Sequence, residues 1–319
     1  MHAVLSSSFT TYTTEGNLNN HIGVPLTLLR IKDDAQMAVI EMGANHLKEI
    51  ESYCIIAIPT HGLITNCGKA HLEGFGSEEG VRKGKGELFD YLRSHDGTAF
   101  VMKDYDYLSE MSKGIPAIFT YGTTDADVSG TVASSNEFVE VKGTHGFSST
   151  IKTNLVGAYN LPNILAAVAT GKFFQIPEEK IKVAIEKYMP TNSRSQLMHK
   201  GSNKVILDAY NANPSSMKAA IENFARTDGN NKILALGAMA ELGNDSLKEH
   251  ENIISEIAKY KWKNVLLVGG DFLKTKHPFQ QFENPASAGA WLKKEKIENA
   301  YLLVKGSRSM QMEKVLEYL

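Results

Sequence analysis

Apolar positions along the chain fall into short runs of two kinds, and the two alternate for most of its length. "FTTYTT" (9–14), "MAVIEMG" (37–43), "HGLITNC" (61–67), "GTAFVMK" (97–103) and "AIFTYG" (117–122) are brief runs of the sort strands make. Between them, "IGVPLTLLRI" (22–31), "HLKEIESYC" (46–54) and a stretch near 104–112 space their apolar residues as helices do. From 127 to 155 the texture changes to Ser, Thr and Gly between short β-branched runs, which predicts antiparallel hairpins at a sheet edge. Residues 158–176 then read as an apolar helix, and Pro177 opens another, at a position where its missing N–H costs little.

A turn-rich stretch, "MPTNSRS" (189–195), precedes a fresh cycle of alternation. Strands are predicted at 203–210, 231–238, 263–270 and 300–306, with helices at 214–226, 245–260, 286–295 and 307–319. The fold class is therefore α/β. A mostly parallel-sheet first domain (1–192), edged by antiparallel hairpins, leads into a doubly wound, Rossmann-like C-terminal domain (193–319).

One helix is oddly built. From Ser77, "SEEGVRKGKGELFDYL" puts Val81, Leu88, Phe89 and Leu92 roughly on one face, yet it holds glycines at 80, 84 and 86. Each glycine costs about 1 kcal/mol against alanine inside a helix.

Composition narrows the class without naming it. Of 319 residues, 42% are hydrophobic and 22% charged, and the net charge is −2, so neither nucleic acid nor an anionic membrane is an expected partner. Cys54 and Cys67 form no metal or CxxC pattern and read as reduced thiols. No apolar run reaches membrane-spanning length and no signal peptide opens the chain, so a cytoplasmic location is the default expectation.

In open parallel sheets, chemistry gathers beyond the C-terminal ends of strands. Glu41 ends one predicted strand, His71 lies in the loop after another, and Lys85 follows fourteen residues later. A carboxylate and an imidazole at neighbouring strand ends suit Mg²⁺ or Mn²⁺. Each also has a plainer reading, as a hydrogen-bonding loop residue or a solvent-facing lysine. Asn17, Asn19 and Asn20 either contact a substrate or cap the next helix. Asp208, Asn211 and Asn213 end the first strand of the second domain, where an acid can accept from ribose hydroxyls. Lys305 and Arg308, beside a helix start, suit a carboxylate or phosphate, or are solvated turn residues.

Taken together, "GNLNNHIGVPLTLL", "AVIEMGANHLKEI", "PTHGLITNCGKAHLEGFGS", "KGKGELFDYL", "GAYNLPNILAAVA", "DAYNANPSSM", "GAMAELG" and "VKGSRSMQME" resemble, in order and over almost the whole chain, the Mur ligases of peptidoglycan synthesis. The resemblance is to the branch that adds D-alanyl-D-alanine to UDP-N-acetylmuramoyl-tripeptide. It implies ATP-dependent amide formation: a substrate carboxylate attacks the γ-phosphorus, and the amine of D-alanyl-D-alanine displaces phosphate from the acyl phosphate. It implies Mg²⁺ at Glu41 and His71, and a Lys85 carbamylated by CO₂ into an anionic ligand; on that reading the small Gly84 and Gly86 are expected to give clearance for the modified side chain and a substrate. It also implies nucleotide contacts by Asp208, Asn211 and Asn213, a phosphate contact by Arg194, and dipeptide contacts by Lys305 and Arg308.

One departure from the family is large. No G-x-x-x-x-G-K-[ST] phosphate loop occurs in the sequence, and "HAVLSSSF" resembles the tail of the helix that should follow it. The expectation is a central domain without its first strand and phosphate loop, and without the uridine-binding domain before it, so that this polypeptide alone turns ATP over poorly. Rival readings are a folylpolyglutamate-type ligase of the same superfamily and a non-catalytic nucleotide-binding or scaffold remnant. A nicotinamide dehydrogenase is disfavoured because no GxGxxG follows any strand.

Overall fold

The computed structural model describes residues 1–69, 71–191 and 193–319; Asn192, at the expected domain boundary, lies outside them. In the first part, β1 (Thr11–Thr13) and β2 (Met37–Val39) form a small parallel pair. A six-stranded sheet follows in chain order, β3 (His61–Leu63), β4 (Thr98–Met102), β5 (Ala117–Gly122), β6 (Val128–Ser134), β7 (Glu140–His145) and β8 (Thr150–Lys152). Its first four strands are parallel and its last two antiparallel, as the Ser/Thr/Gly texture predicts. The Leu161–Phe173 helix, whose residues from Ile164 to Gly171 are all buried, packs on this sheet.

The second sheet runs in the order β13 (Gln280–Phe282), β12 (Asn264–Val268), β11 (Lys232–Gly237), β14 (Tyr301–Lys305), β10 (Asn203–Asp208), β9 (Gln196–Lys200). All neighbours are parallel except β9, which runs antiparallel to β10. Side-chain alternation splits its core. Ile206, Leu234, Leu236 and Leu303 join the large apolar cluster shared with the first part, while Val205, Ile233, Ala235 and Leu302 fill a second cluster on the other face. Burial on both faces is why these strands read as continuous apolar runs.

Some elements depart from the sequence reading. β9 and β13 are additional; "QLMHK" and "QQF" are short and polar edge strands with little apolar signature. Residues 307–319 form two 3-10 turns where a helix is expected. Gln311 turns left-handed (φ 52°) between them and brings Met312 against Gly237 and Gly306, where a Cβ would stand 2.6 Å from the Met312 Cγ.

Candidate active site

The Asn-rich loop after β1 lies beside the end of β2. Asn19 Nδ2 donates to Glu41 Oε1 at 2.8 Å, and Gly43 N donates to the Asn19 carbonyl at 2.7 Å. Asn20 takes the plainer role: its Oδ1 accepts from Ile22 N and Gly23 N at 3.1 and 2.9 Å and closes the Gly23–Leu29 helix start. Asn17 is exposed. The Glu41 loop is also in touch with the His71 loop, since a Cβ on Gly74 would stand 2.1 Å from the Asn45 carbonyl.

The helix expected from Ser77 is present as Glu78–Ser94, with the Ser77 hydroxyl accepting from Gly80 N at 3.1 Å. Its glycines have a role other than the one expected. A Cβ at Gly80 would lie 2.0 Å from the Phe75 carbonyl oxygen, and one at Gly84 2.4 Å from the Phe75 ring, so these two admit the short Leu72–Phe75 helix beside His71. Gly86 faces Met111 Cε. The clearance serves the protein's own packing. Glu87, buried on the same helix, accepts from Lys48 N and Glu51 N at 2.6 and 3.0 Å and so caps the Glu49–Ala57 helix from outside, its anion at the positive end.

Lys85 is half-buried, and its Nζ donates to the Asn66 carbonyl beyond β3 at 2.6 Å. Removal from water pushes its pKa below the ordinary lysine value. Burial lifts the nearby Cys67 thiol above its ordinary value, more than Lys85 and Arg82 lower it. A lysine so placed is readier than a solvated one to present a neutral, nucleophilic amine.

The His71 loop is clamped by the second domain. Lys69 Nζ meets Glu249 Oε1 at 2.7 Å. Burial pushes the Glu249 carboxyl up, but the hydrogen bonds from Lys69 and Asn252 outweigh it and its pKa is lowered. His71 Nδ1 stands 2.5 Å from Glu241 Oε2, at ion-pair distance but without hydrogen-bond alignment. The backbone closes the contact, Glu73 N donating to the Glu241 carbonyl at 3.3 Å. Both His71 (φ 54°) and Glu241 (φ 61°) hold left-handed backbone that non-glycine residues seldom adopt.

In the second domain, Asp208 has both oxygens engaged: Oδ1 accepts from Ser195 N at 2.9 Å, and Oδ2 meets Lys305 Nζ at 2.5 Å. Ser195 Oγ lies 2.9 Å from the Tyr159 hydroxyl, whose proton burial holds more tightly than usual. Lys305 is 2% exposed and also donates to the Asn211 carbonyl, so its ammonium faces Asp208 inside the protein rather than an open surface. Asn213 caps the Pro214–Arg226 helix in a reciprocal box with Ser216, the plainer of its two readings. Asn211 is exposed, its Oδ1 accepting from Ala212 N. Arg194 is exposed with its guanidinium 4.1 Å over the Tyr210 ring, and Arg308, also exposed, stands 3.4 Å from Glu313.

Among the described residues, no three His, Cys, Asp or Glu side chains already form a metal set. The donors nevertheless fit a hard cation singly. Glu41 is an exposed carboxylate with one oxygen steadied by Asn19, and His71, whose Nδ1 lies against Glu241, has its Nε2 left to offer a cation. A cleft lined by Asn136, Tyr159, Glu222 and Arg226 shares none of these groups. Glu241, Glu249 and Glu87 were not legible as site residues in the sequence. "GAMAELG" marks a strand end, but nothing in its spacing pairs Glu241 with a histidine 170 residues earlier.

Two family models match the chain: the Mur ligase middle domain over residues 1–171, and the Mur ligase glutamate ligase domain over residues 193–309. The chain is 32% identical to UDP-N-acetylmuramoyl-tripeptide--D-alanyl-D-alanine ligase of Bacillus subtilis, over 100% of its own length and 72% of the relative's. Against the Escherichia coli protein of that name it is 34% identical over 99% of its own length and 72% of the relative's. Among solved structures, MurF from Acinetobacter baumannii superposes with a TM-score of 0.90 at 29% identity, over 99% of this chain and 71% of that one. A Thermotoga maritima MurF ligase in complex with ADP shares the fold, with a TM-score of 0.89 at 23% identity, over 99% of this chain and 74% of that one.

Proposed function

The chain belongs to the Mur ligase family, and from that premise we propose that it carries out ATP-dependent amide bond formation between UDP-N-acetylmuramoyl-tripeptide and D-alanyl-D-alanine, as a cytoplasmic monomer. The observation that carries this reading is similarity over the whole of this chain to ligases of that name, at 32% and 34% identity. In the reaction, a carboxylate oxygen of the tripeptide attacks the γ-phosphorus of ATP and ADP leaves. The dipeptide amine then attacks the acyl carbon, and phosphate departs with the proton balance closed by loss of H⁺ from nitrogen.

The chain's own residues support each part. Glu41 and His71 would hold Mg²⁺, which when bound neutralises charge that develops on the phosphates. Lys85, its pKa lowered by burial, presents a neutral amine more readily than a solvated lysine, and CO₂ would convert that amine to a carbamate, an oxygen donor where the ammonium would repel a cation. Arg194 is exposed at the junction between the domains, free to reach an anion. Asn211 lies exposed beyond β10, where the ribose and base would rest. Asp208 and Asn213 support that loop through Lys305 and the helix cap, and Arg308 would meet the dipeptide carboxylate.

The test has two arms. Calorimetry of the chain with ADP and Mg²⁺ is expected to show binding, and an Asn211→Ala change to weaken it. With ATP, tripeptide substrate and D-alanyl-D-alanine, formation of the amide product with release of phosphate is expected. Faster ligation of glutamate than of the dipeptide would move the chain to the folate-type ligases. Absence of nucleotide binding would favour the scaffold reading.

A further inference from the structure

We propose that Glu241 is a positioning residue for the His71 imidazole, so that docking of the C-terminal domain completes a metal-binding histidine on the central one. The inference rests on the reading of His71 as a metal ligand and adds the group that orients it. A metal-ligating histidine generally gives its other ring nitrogen to a carboxylate or carbonyl, which fixes the ring and raises the basicity of the ligating nitrogen. Here the carboxylate comes from the other domain. Glu241 Oε2 is 2.5 Å from His71 Nδ1, at ion-pair distance though outside hydrogen-bond alignment, which leaves Nε2 as the nitrogen to meet a cation.

Three features bring Glu241 to that place. The Met239 amide donates to His250 Nε2 at 3.0 Å, and Ser307 donates to the Ala238 carbonyl through its hydroxyl at 2.7 Å, so the segment is pinned two and three residues upstream. The Glu241 carbonyl accepts from Glu73 N, two residues beyond His71, which sets the register of the two loops. Both His71 and Glu241 adopt left-handed backbone, a conformation that persists in non-glycine residues only where the surroundings impose it and that gathers at working sites.

The separate ion pair between Lys69 and Glu249 clamps the same loop without touching the imidazole, and so provides an internal control. The experiment measures Mn²⁺ binding to the full chain, with ADP present, by electron paramagnetic resonance. Imidazole ligation is read from the ¹⁴N modulation of the electron spin echo. His71→Ala is expected to lose that modulation. Glu241→Ala, which keeps its Cβ and so its backbone preference, is expected to weaken Mn²⁺ binding by about tenfold and reduce the modulation. Glu241→Gln, whose amide oxygen can accept from Nδ1–H, is expected to recover most of both, and Lys69→Ala to stay within about twofold of the parent chain.

If His71→Ala leaves Mn²⁺ binding and modulation unchanged, or the parent chain takes up no Mn²⁺, the metal reading falls and the inference with it. If His71→Ala matters while Glu241→Ala matches the parent, the metal reading stands and the inference is overturned. If Lys69→Ala weakens binding as much as Glu241→Ala, the effect is one of docking in general, and the positioning role is likewise overturned.

Discussion

His250 shows how much a single side chain can carry. Fully buried, it donates from Nδ1 to the Ser246 carbonyl at 2.7 Å and accepts at Nε2 from Met239 N, an arrangement that only the neutral ring provides. Burial lowers its pKa below the ordinary 6.5, more than the Ser246 carbonyl, Asp271 and Glu249 raise it. The unfolded chain therefore binds a proton that the folded one refuses. The stability this histidine contributes is present above its unfolded pKa and is lost as pH falls through 6.5 towards the lowered folded value. Urea unfolding between pH 8 and 5 is expected to show stability falling with pH, by at most about 1.4 kcal/mol per unit from this group. His250→Asn is expected to flatten that slope while lowering stability at pH 8. His61 and His277, also lowered by burial, keep a residual slope, and only a slope left unchanged by the substitution would assign the effect elsewhere.

Among the elements, the Glu78–Ser94 helix resolves a conflict visible in the sequence. Propensity disfavours three glycines there, by about 1 kcal/mol each. Packing demands two of them, because Phe75 and its carbonyl occupy the space a Cβ would take. Gly80→Ala improves propensity yet sets a methyl 2.0 Å from a backbone oxygen that cannot swing aside. It is expected to cost about 1–3 kcal/mol net in denaturant unfolding and to displace the His71 loop. Gly86→Ala, 3.2 Å from the flexible end of Met111, is expected to be near neutral. If Gly80→Ala proved stabilising, the packing account of this helix would be wrong. The cysteines are equally a matter of packing: Cys54 is wholly buried and its thiol is pushed up to about 12, chiefly by burial.

For the molecule as a whole, the junction is the point of leverage. Lys305, Asp208, Ser195 and Tyr159 form a chain of contacts from β14 through β10 to the 3-10 turn Ala158–Asn160 of the central domain. Arg194 sits between two serines in left-handed backbone, Ser193 at 56° and Ser195 at 46°, and the second of these is held by Asp208. Asp208→Ala strands a buried ammonium and is expected to cost about 3–5 kcal/mol. Circular dichroism during urea unfolding measures this. A loss below about 1 kcal/mol would mean that Lys305 finds another partner or water.

The alternation of strand and helix, the parallel character of both sheets and the edge hairpins followed from hydrophobic period and turn chemistry, which are local properties of the chain. So did the place of Glu41 just beyond β2, that of His71 in the loop after β3, and the capping by Asn20 and Asn213, because a cap is made by residues two or three apart. The partners of the charged groups did not follow. Glu241 beside His71, Glu249 beside Lys69 and Asp208 beside Lys305 are set by how two domains and non-adjacent strands come to lie together. Coulomb attraction and burial depend on distance in space, and nothing in a one-dimensional pattern records which distant residues that distance will be short for.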